Sequence, residues 1–240
     1  MLLNNSRSES WNGFLSKDVI ETLNRIEREI GENYSPEANN VLRFMENDLD
    51  KIRICIIGQD PYYSVEKGEL VANGRSFQPA NLADWAEPYR QGSLKNIIRL
   101  IHKTYAQIED YKDIKKYREI VLEIKSKEFD IKNPQEWFDS LEKQGVLFLN
   151  RYLTTEIGTP NAHREIWNVF GADVFRYIDK MRPDMIWFLW GKEAIECSLY
   201  IENGTIYECR HPSRCSSKNE DDFLKSNCIE ETRNIINWLG

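Results

Sequence analysis

Four short apolar runs constrain this chain more than any other feature. They are IRICII at 52–57, VLFL at 146–149, MIWFLW at 185–190 and TIYEC at 205–209. Each is too short for a buried helix and rich in β-branched or aromatic side chains, so each predicts a strand. Amphipathic stretches of helical period lie between them. Strands that alternate with helices and are apolar on both faces predict a parallel sheet covered on both sides. The expected fold class is therefore α/β, a three-layer α/β/α arrangement around a central, mostly parallel four-stranded sheet. In such sheets ligands bind beyond the carboxyl ends of the strands. Those ends are Gly58-Gln59-Asp60-Pro61-Tyr62, Asn150, Gly191-Lys192 and His211-Pro212-Ser213.

The helical stretches can be placed by their apolar spacing. Val19, Leu23 and Ile26 predict a helix over 18–30. Ser35-Pro36-Glu37 predicts a serine-capped start with proline in the first turn, burying Val41, Leu42, Phe44 and Met45. Further helices are expected over 92–105, over the charged segment 110–128, from Asn133-Pro134 to a stop at Gly145, over 164–181 and over 222–239. With 240 residues, no repeat and no Pro/Gly linker, one domain over 1–240 is the economical expectation.

Composition removes several function classes. Lys plus Arg is 32 against 39 Asp plus Glu, a net charge of −7. Binding of nucleic acid by bulk positive charge is excluded, though a local basic groove is not. No apolar run approaches the ~18 residues of a spanning helix. The start MLLNNSRSES is too polar for a secretory signal, so a cytoplasmic protein without membrane contact is expected. Cys55, Cys197, Cys209, Cys215 and Cys228 are scattered without a C-x-x-C pair, which fits reduced thiols rather than a zinc or disulfide site. Phosphate-binding glycine loops and the G-x-S-x-G nucleophile elbow are absent.

The polar residues at the strand ends each admit two readings. Asp60 before Pro61 is either a turn residue or a carboxylate that orients water. His211 is either a packed histidine or a proton donor. Asn150 is either a turn cap or an amide that reads the edge of a planar base. Phe77 is either core or a stacking platform for a base. His102 lies inside an amphipathic helix and reads as structural; His163 is ambiguous.

In order, these segments resemble the uracil-DNA glycosylase superfamily, and most closely its family 1. GQDPYY at 58–63 is one residue from that family's GQDPYH motif. ANGRSFQ at 72–78, GVLFLN at 145–150, TTEIGTPNAHREIW at 154–167, FLWGKEA at 188–194 and HPSRCS at 211–216 are similar to its remaining motifs. The likeness runs over about residues 35–239. It departs at Tyr63, in a lengthened 63–76 loop, in a charged helical insertion near 105–130, and at Arg214 and Cys215, which replace a proline and an intercalating leucine.

The resemblance implies a DNA glycosylase that flips a pyrimidine out of single- or double-stranded DNA and hydrolyses its N-glycosidic bond. Asp60 and His211 would be catalytic. Gln59, Tyr62, Phe77 and Asn150 would hold the base. Ser93, Ser213, Arg214 and Cys215 would meet the DNA backbone. No metal or organic cofactor is implied, no lysine stands at a catalytic position that would give lyase activity, and a monomer is the default. Uracil in base-excision repair is the expected target. A modified pyrimidine of viral DNA, such as hydroxymethylated or glycosylated cytosine in phage defence, is the alternative, and a catalytically silent relative that binds DNA or a partner is the second.

Overall fold

The computed structural model describes residues 2–3 and 6–240. Its centre is a sheet of β1 (Ile54–Gly58), β2 (Val146–Asn150), β3 (Ile186–Trp190) and β4 (Thr205–Cys209). The order is β2-β1-β3-β4 and every pairing is parallel. The register sets Gly58 opposite Asn150 and Trp190 opposite Cys209. All four strands therefore release their chain at one rim.

The pleat sorts the apolar side chains into two cores. Cys55, Ile57, Leu147, Leu149, Trp187 and Leu189 face one side, under α1 (Lys17–Ile30) and the later helix Arg164–Met181. Ile54, Ile56, Val146, Phe148, Phe188 and Trp190 face the other. That side is covered by α2 (Gly92–Tyr105), α3 (Tyr117–Ser126), α4 (Pro134–Lys143) and the C-terminal segment; Arg164–Met181 is α5. The result is the expected three-layer α/β/α arrangement. β4, at the sheet edge, leaves Thr205 and Glu208 exposed, as an edge strand should.

Local chemistry explains most boundaries. The Ser16 hydroxyl accepts the Val19 N–H at 3.3 Å and caps α1. Gly145 has a φ of +101°, and a Cβ there would lie 2.4 Å from the Lys51 carbonyl oxygen, so a glycine both ends α4 and admits β1 beside it.

Three expectations need correction. Ser35 does not cap a helix: it pairs in a two-residue ladder with Thr155, and its hydroxyl donates to the Tyr62 carbonyl at 2.7 Å. The helix that follows is one turn, Ala38–Val41, because Asn39-Asn40 is a poor helix former. The expected buried face of Val41, Leu42, Phe44 and Met45 is nonetheless buried. The segment 110–128 is a short 3₁₀ turn, Tyr111–Asp113, before α3, with Ile114 buried outside any helix. The final helix shrinks to Cys228–Thr232. There Asp222 caps the Leu224 N–H at 3.0 Å and Thr232 donates to the Cys228 carbonyl at 2.6 Å, so side chains compete with the helical ladder.

The loop 72–79 is fastened across the second face by Arg75, whose side chain is 5% exposed. It pairs with Glu142 and, at 2.8 Å, with Asp139 of α4, and donates to Gln78 at 3.0 Å. Removing one partner of such a network strands the other charge. Arg75→Ala is expected to lower the unfolding free energy by about 3 kcal/mol in urea denaturation without changing the m-value.

Candidate active site

The carboxyl end of β1 is built around close approach. A Cβ on Gly58 would sit 2.4 Å from Asn150 Oδ1 and 2.7 Å from Ser76 Cβ, so only glycine lets β1 and β2 end side by side under the 72–79 loop. Beyond it the chain is pinned from the neighbouring loop. The Gly58 and Gln59 carbonyls accept the Arg151 and Tyr152 N–H groups at 2.9 and 3.0 Å. Asp60 Oδ2 accepts the Asn161 N–H at 2.8 Å, and the Gln59 amide donates to Asn161 Oδ1. Gly158 N–H reaches the Tyr63 carbonyl at 2.8 Å. The carboxylate of Asp60 is thus oriented by a backbone donor before any ligand arrives.

Phe77 has a φ of +63°, a conformation costly for a bulky side chain and held here by its surroundings. Its carbonyl accepts the Tyr62 hydroxyl at 3.0 Å. Its ring centroid is 5.8 Å from Trp190 and 6.3 Å from His211. Asn150 is 4% exposed, and among the described residues its side-chain amide makes no hydrogen bond to the protein. Its amide atoms are not among the fully buried polar atoms left without a partner, so they stay open to water or to a ligand at the rim.

His211 follows β4 and leans on Gly191, where a Cβ would be 2.7 Å from its own Cβ. The Ser213 N–H donates to His211 Nδ1 at 3.2 Å, and Ser213 Oγ lies 2.8 Å from the same nitrogen. An Nδ1 that accepts a backbone N–H carries no proton, so neutral His211 has its proton on Nε2. Burial pushes the imidazole pKa down, and the nearby Arg214 charge pushes it further. Burial pushes the Asp60 carboxyl up; the Asn161 N–H opposes this and the Glu193 charge adds to it. Gln59, Trp190, Lys192, His211, Ser213 and Arg214 line one cleft of about 690 Å³. Lys192, Arg210 and Arg214 bring local positive charge to it, against Glu193 and Asp221.

Asp60, Gln59, Tyr62, Phe77, Asn150 and His211 thus stand at one rim, but of these only Gln59 and His211 line the cleft. Ser213 and Arg214 are exposed at its edge. Ser93 is half-buried in the first turn of α2, outside the lining of this cleft. Cys215 turns inward: it packs on the second core, its thiol donates to the Pro212 carbonyl at 3.2 Å, and burial raises its pKa to about 12. It does not project as a wedge. His102 is buried against Glu123, and His163 shares a hydrogen bond with Thr154 at 2.9 Å, so both are structural. Sequence reasoning missed Asn161, Trp190, Lys192 and Glu193 as site residues, although each stands inside a segment already singled out. Among the described residues no cluster of metal-ligating side chains is present.

Residues 44–234 match the family model described as the uracil DNA glycosylase superfamily. The chain belongs to the uracil-DNA glycosylase superfamily. Among curated relatives, a uracil-DNA glycosylase of Mycoplasmopsis pulmonis is 32% identical over 200 residues, 80% of this chain and 76% of that protein. One from Blochmanniella floridana is 29% identical over 234 residues, 92% and 90% of the two chains. The fold is shared with a mutant of the UNG from Nitratifractor salsuginis at a TM-score of 0.70 and 19% identity, covering 96% of this chain and 92% of that one. The mimivirus uracil-DNA glycosylase aligns at a TM-score of 0.65 and 23% identity, covering 88% and 70%.

A carboxyl whose folded pKa lies above its unfolded value favours the folded state most below the unfolded value, near 3.8, and loses that contribution as pH rises through the folded pKa. Asp60→Asn is therefore expected to raise Tm at pH 7.5, with the gain shrinking as pH falls towards 3.8, where the native carboxyl is itself protonated. Calorimetry across this range checks it; a lower Tm at pH 7.5 would show that Asp60 stabilises the fold.

Proposed function

We propose that this superfamily member is a monofunctional uracil-DNA glycosylase of base-excision repair. It acts as one cytoplasmic, monomeric domain without a cofactor. Among the described residues no helix is long and apolar enough to cross a membrane. The observation that carries the reading is the fixed tautomer of His211. It presents a neutral Nε2–H at the cleft lined also by Gln59, the residue next to Asp60.

The chemistry follows from what each group can do. A base in a duplex is out of reach and must be flipped out. Phe77 stacks on it, and the unpaired amide of Asn150 supplies one donor and one acceptor to its edge. Tyr62, tied to Phe77, closes the side where a 5-substituent would lie. Asp60 orients a water for attack on the sugar C1′ and stabilises the oxocarbenium-like transition state. The C1′–O bond forms as the C1′–N1 bond breaks. The bond pair leaves with the base, and the water's proton passes to the Asp60 carboxylate. Negative charge gathers on the base O2, where the His211 Nε2–H donates, as an oxyanion hole does. Ser93, Ser213, Arg214 and Lys192 meet the phosphates.

Labelled oligonucleotides carrying uracil, thymine, cytosine or 5-hydroxymethylcytosine test the reading. Abasic sites are expected from uracil alone. Release only from the modified cytosine, or from none of these bases, overturns it. Asp60→Asn is expected to lower kcat by ~10²–10⁴, and His211→Ala by ~10²–10³. Because neutral His211 persists below its ordinary pKa, the acid limb of the kcat profile should follow Asp60 protonation.

A further inference from the structure

The loop 211–216 carries the proposed electrophilic donor, yet Ser213 and Arg214 are exposed and the loop contains only one 3₁₀ turn, Pro212–Arg214. Within the loop the Ser213 and Arg214 N–H groups bond back to His211 and the Cys215 thiol to the Pro212 carbonyl; two further ties fasten it to the rest of the fold.

The first reaches Pro212, the residue after His211. Asn96 of α2 donates through Nδ2 to the Pro212 carbonyl at 2.6 Å. The amide is oriented by Arg99, which donates from a terminal nitrogen to Asn96 Oδ1 at 2.9 Å. A guanidinium has no acceptor, so the oxygen of Asn96 must face Arg99 and its NH₂ must face Pro212. Arg99 is held in turn: its Nε donates to the Lys115 carbonyl at 2.8 Å. Lys115 pairs with Glu123 of α3, which also meets the buried His102.

The second tie reaches the far end of the loop. Asp222 is 1% exposed, and its Oδ2 accepts the Ser216 N–H. Its Oδ1 accepts the Tyr111 hydroxyl at 3.0 Å. Both ties end on the same stretch, the charged segment 111–123.

We infer that Asn96, Arg99 and Tyr111 are positioning residues for His211, and that the charged segment 111–123 is a brace for the donor loop. None of the three needs to touch the substrate. Their effect is to hold the Nε2–H at bonding distance from the base in the transition state, where a misplacement of ~1 Å costs about 10²-fold. The kinetic consequence rests on the glycosylase reading; the structural one does not.

Asn96→Asp isolates the first tie: its carboxylate still accepts from Arg99 but cannot donate to Pro212. Tyr111→Phe isolates the second. Amide hydrogen exchange is the first readout. Backbone amides of residues 213–216 are expected to exchange about 10-fold faster in each variant at unchanged Tm. Unchanged exchange in both variants overturns the brace, whether or not the chain releases uracil. A double-mutant cycle with His211→Ala on a uracil oligonucleotide is the second. Asn96→Asp is expected to lower kcat by about 10-fold with KM within about 3-fold, and to cost less than about 2-fold once His211 is gone. An equal loss in both backgrounds shows that Asn96 does not act through His211. A native chain that releases no uracil overturns the glycosylase reading instead, and the exchange measurement alone then decides the brace.

Discussion

Everything at the site depends on β1 running parallel between β2 and β3, in register and buried on both faces. Parallel pairing sends each strand's end to the same rim. The 57-to-58 step then has to pass Asn150 and Ser76 at a distance that excludes any Cβ. That contact fixes where Gln59 and Asp60 emerge relative to Asn150 and Phe77. The sheet is a positioning device whose precision comes from burial: its side chains interlock in two cores, and neither face can slip without exposing a row of large apolar groups.

The rim is electrostatically strained in a directed way. Burial works against the charged forms of both Asp60 and His211, raising one pKa and lowering the other. The imidazole is thereby kept as a neutral donor, and the carboxylate as an anion poorly satisfied by the protein. An anion with one fixed backbone partner retains capacity for a water and for developing positive charge. The net charge of −7 is not mirrored at the cleft, where Lys192, Arg210 and Arg214 stand against Glu193 and Asp221 and Arg210 pairs with Asp221, leaving Lys192 and Arg214 to set a slightly positive local balance.

The sequence was most legible where periodicity and burial agree. The four strands lie within two residues of their predicted places, and α5 spans the predicted 164–181, because apolar pattern and secondary structure have the same cause there. It was least legible where polar side chains hydrogen-bond their own backbone. Asp222 and Thr232 cut the last helix short, and Ser35 bonds across the fold to Tyr62 instead of capping. Periodicity carries no record of which hydroxyl finds which carbonyl.

The site divides along the same line. The residue types at the strand ends, and the order of motifs that carries the family resemblance, were readable from the chain alone. That Asp60 is oriented by Asn161, that His211 accepts at Nδ1, and that Cys215 turns into the core were not. Sequence determined the sheet, its two apolar faces and the chemistry available at its rim, because those follow from local pattern and burial. Tertiary structure decided how Asp60 is held and which loops brace one another, because those depend on contacts between segments some 100 or more residues apart, such as Asp60 with Asn161 at a separation of 101 and Tyr111 with Asp222 at 111; the His211 tautomer is set by the turn to Ser213, a local geometry that apolar periodicity does not encode.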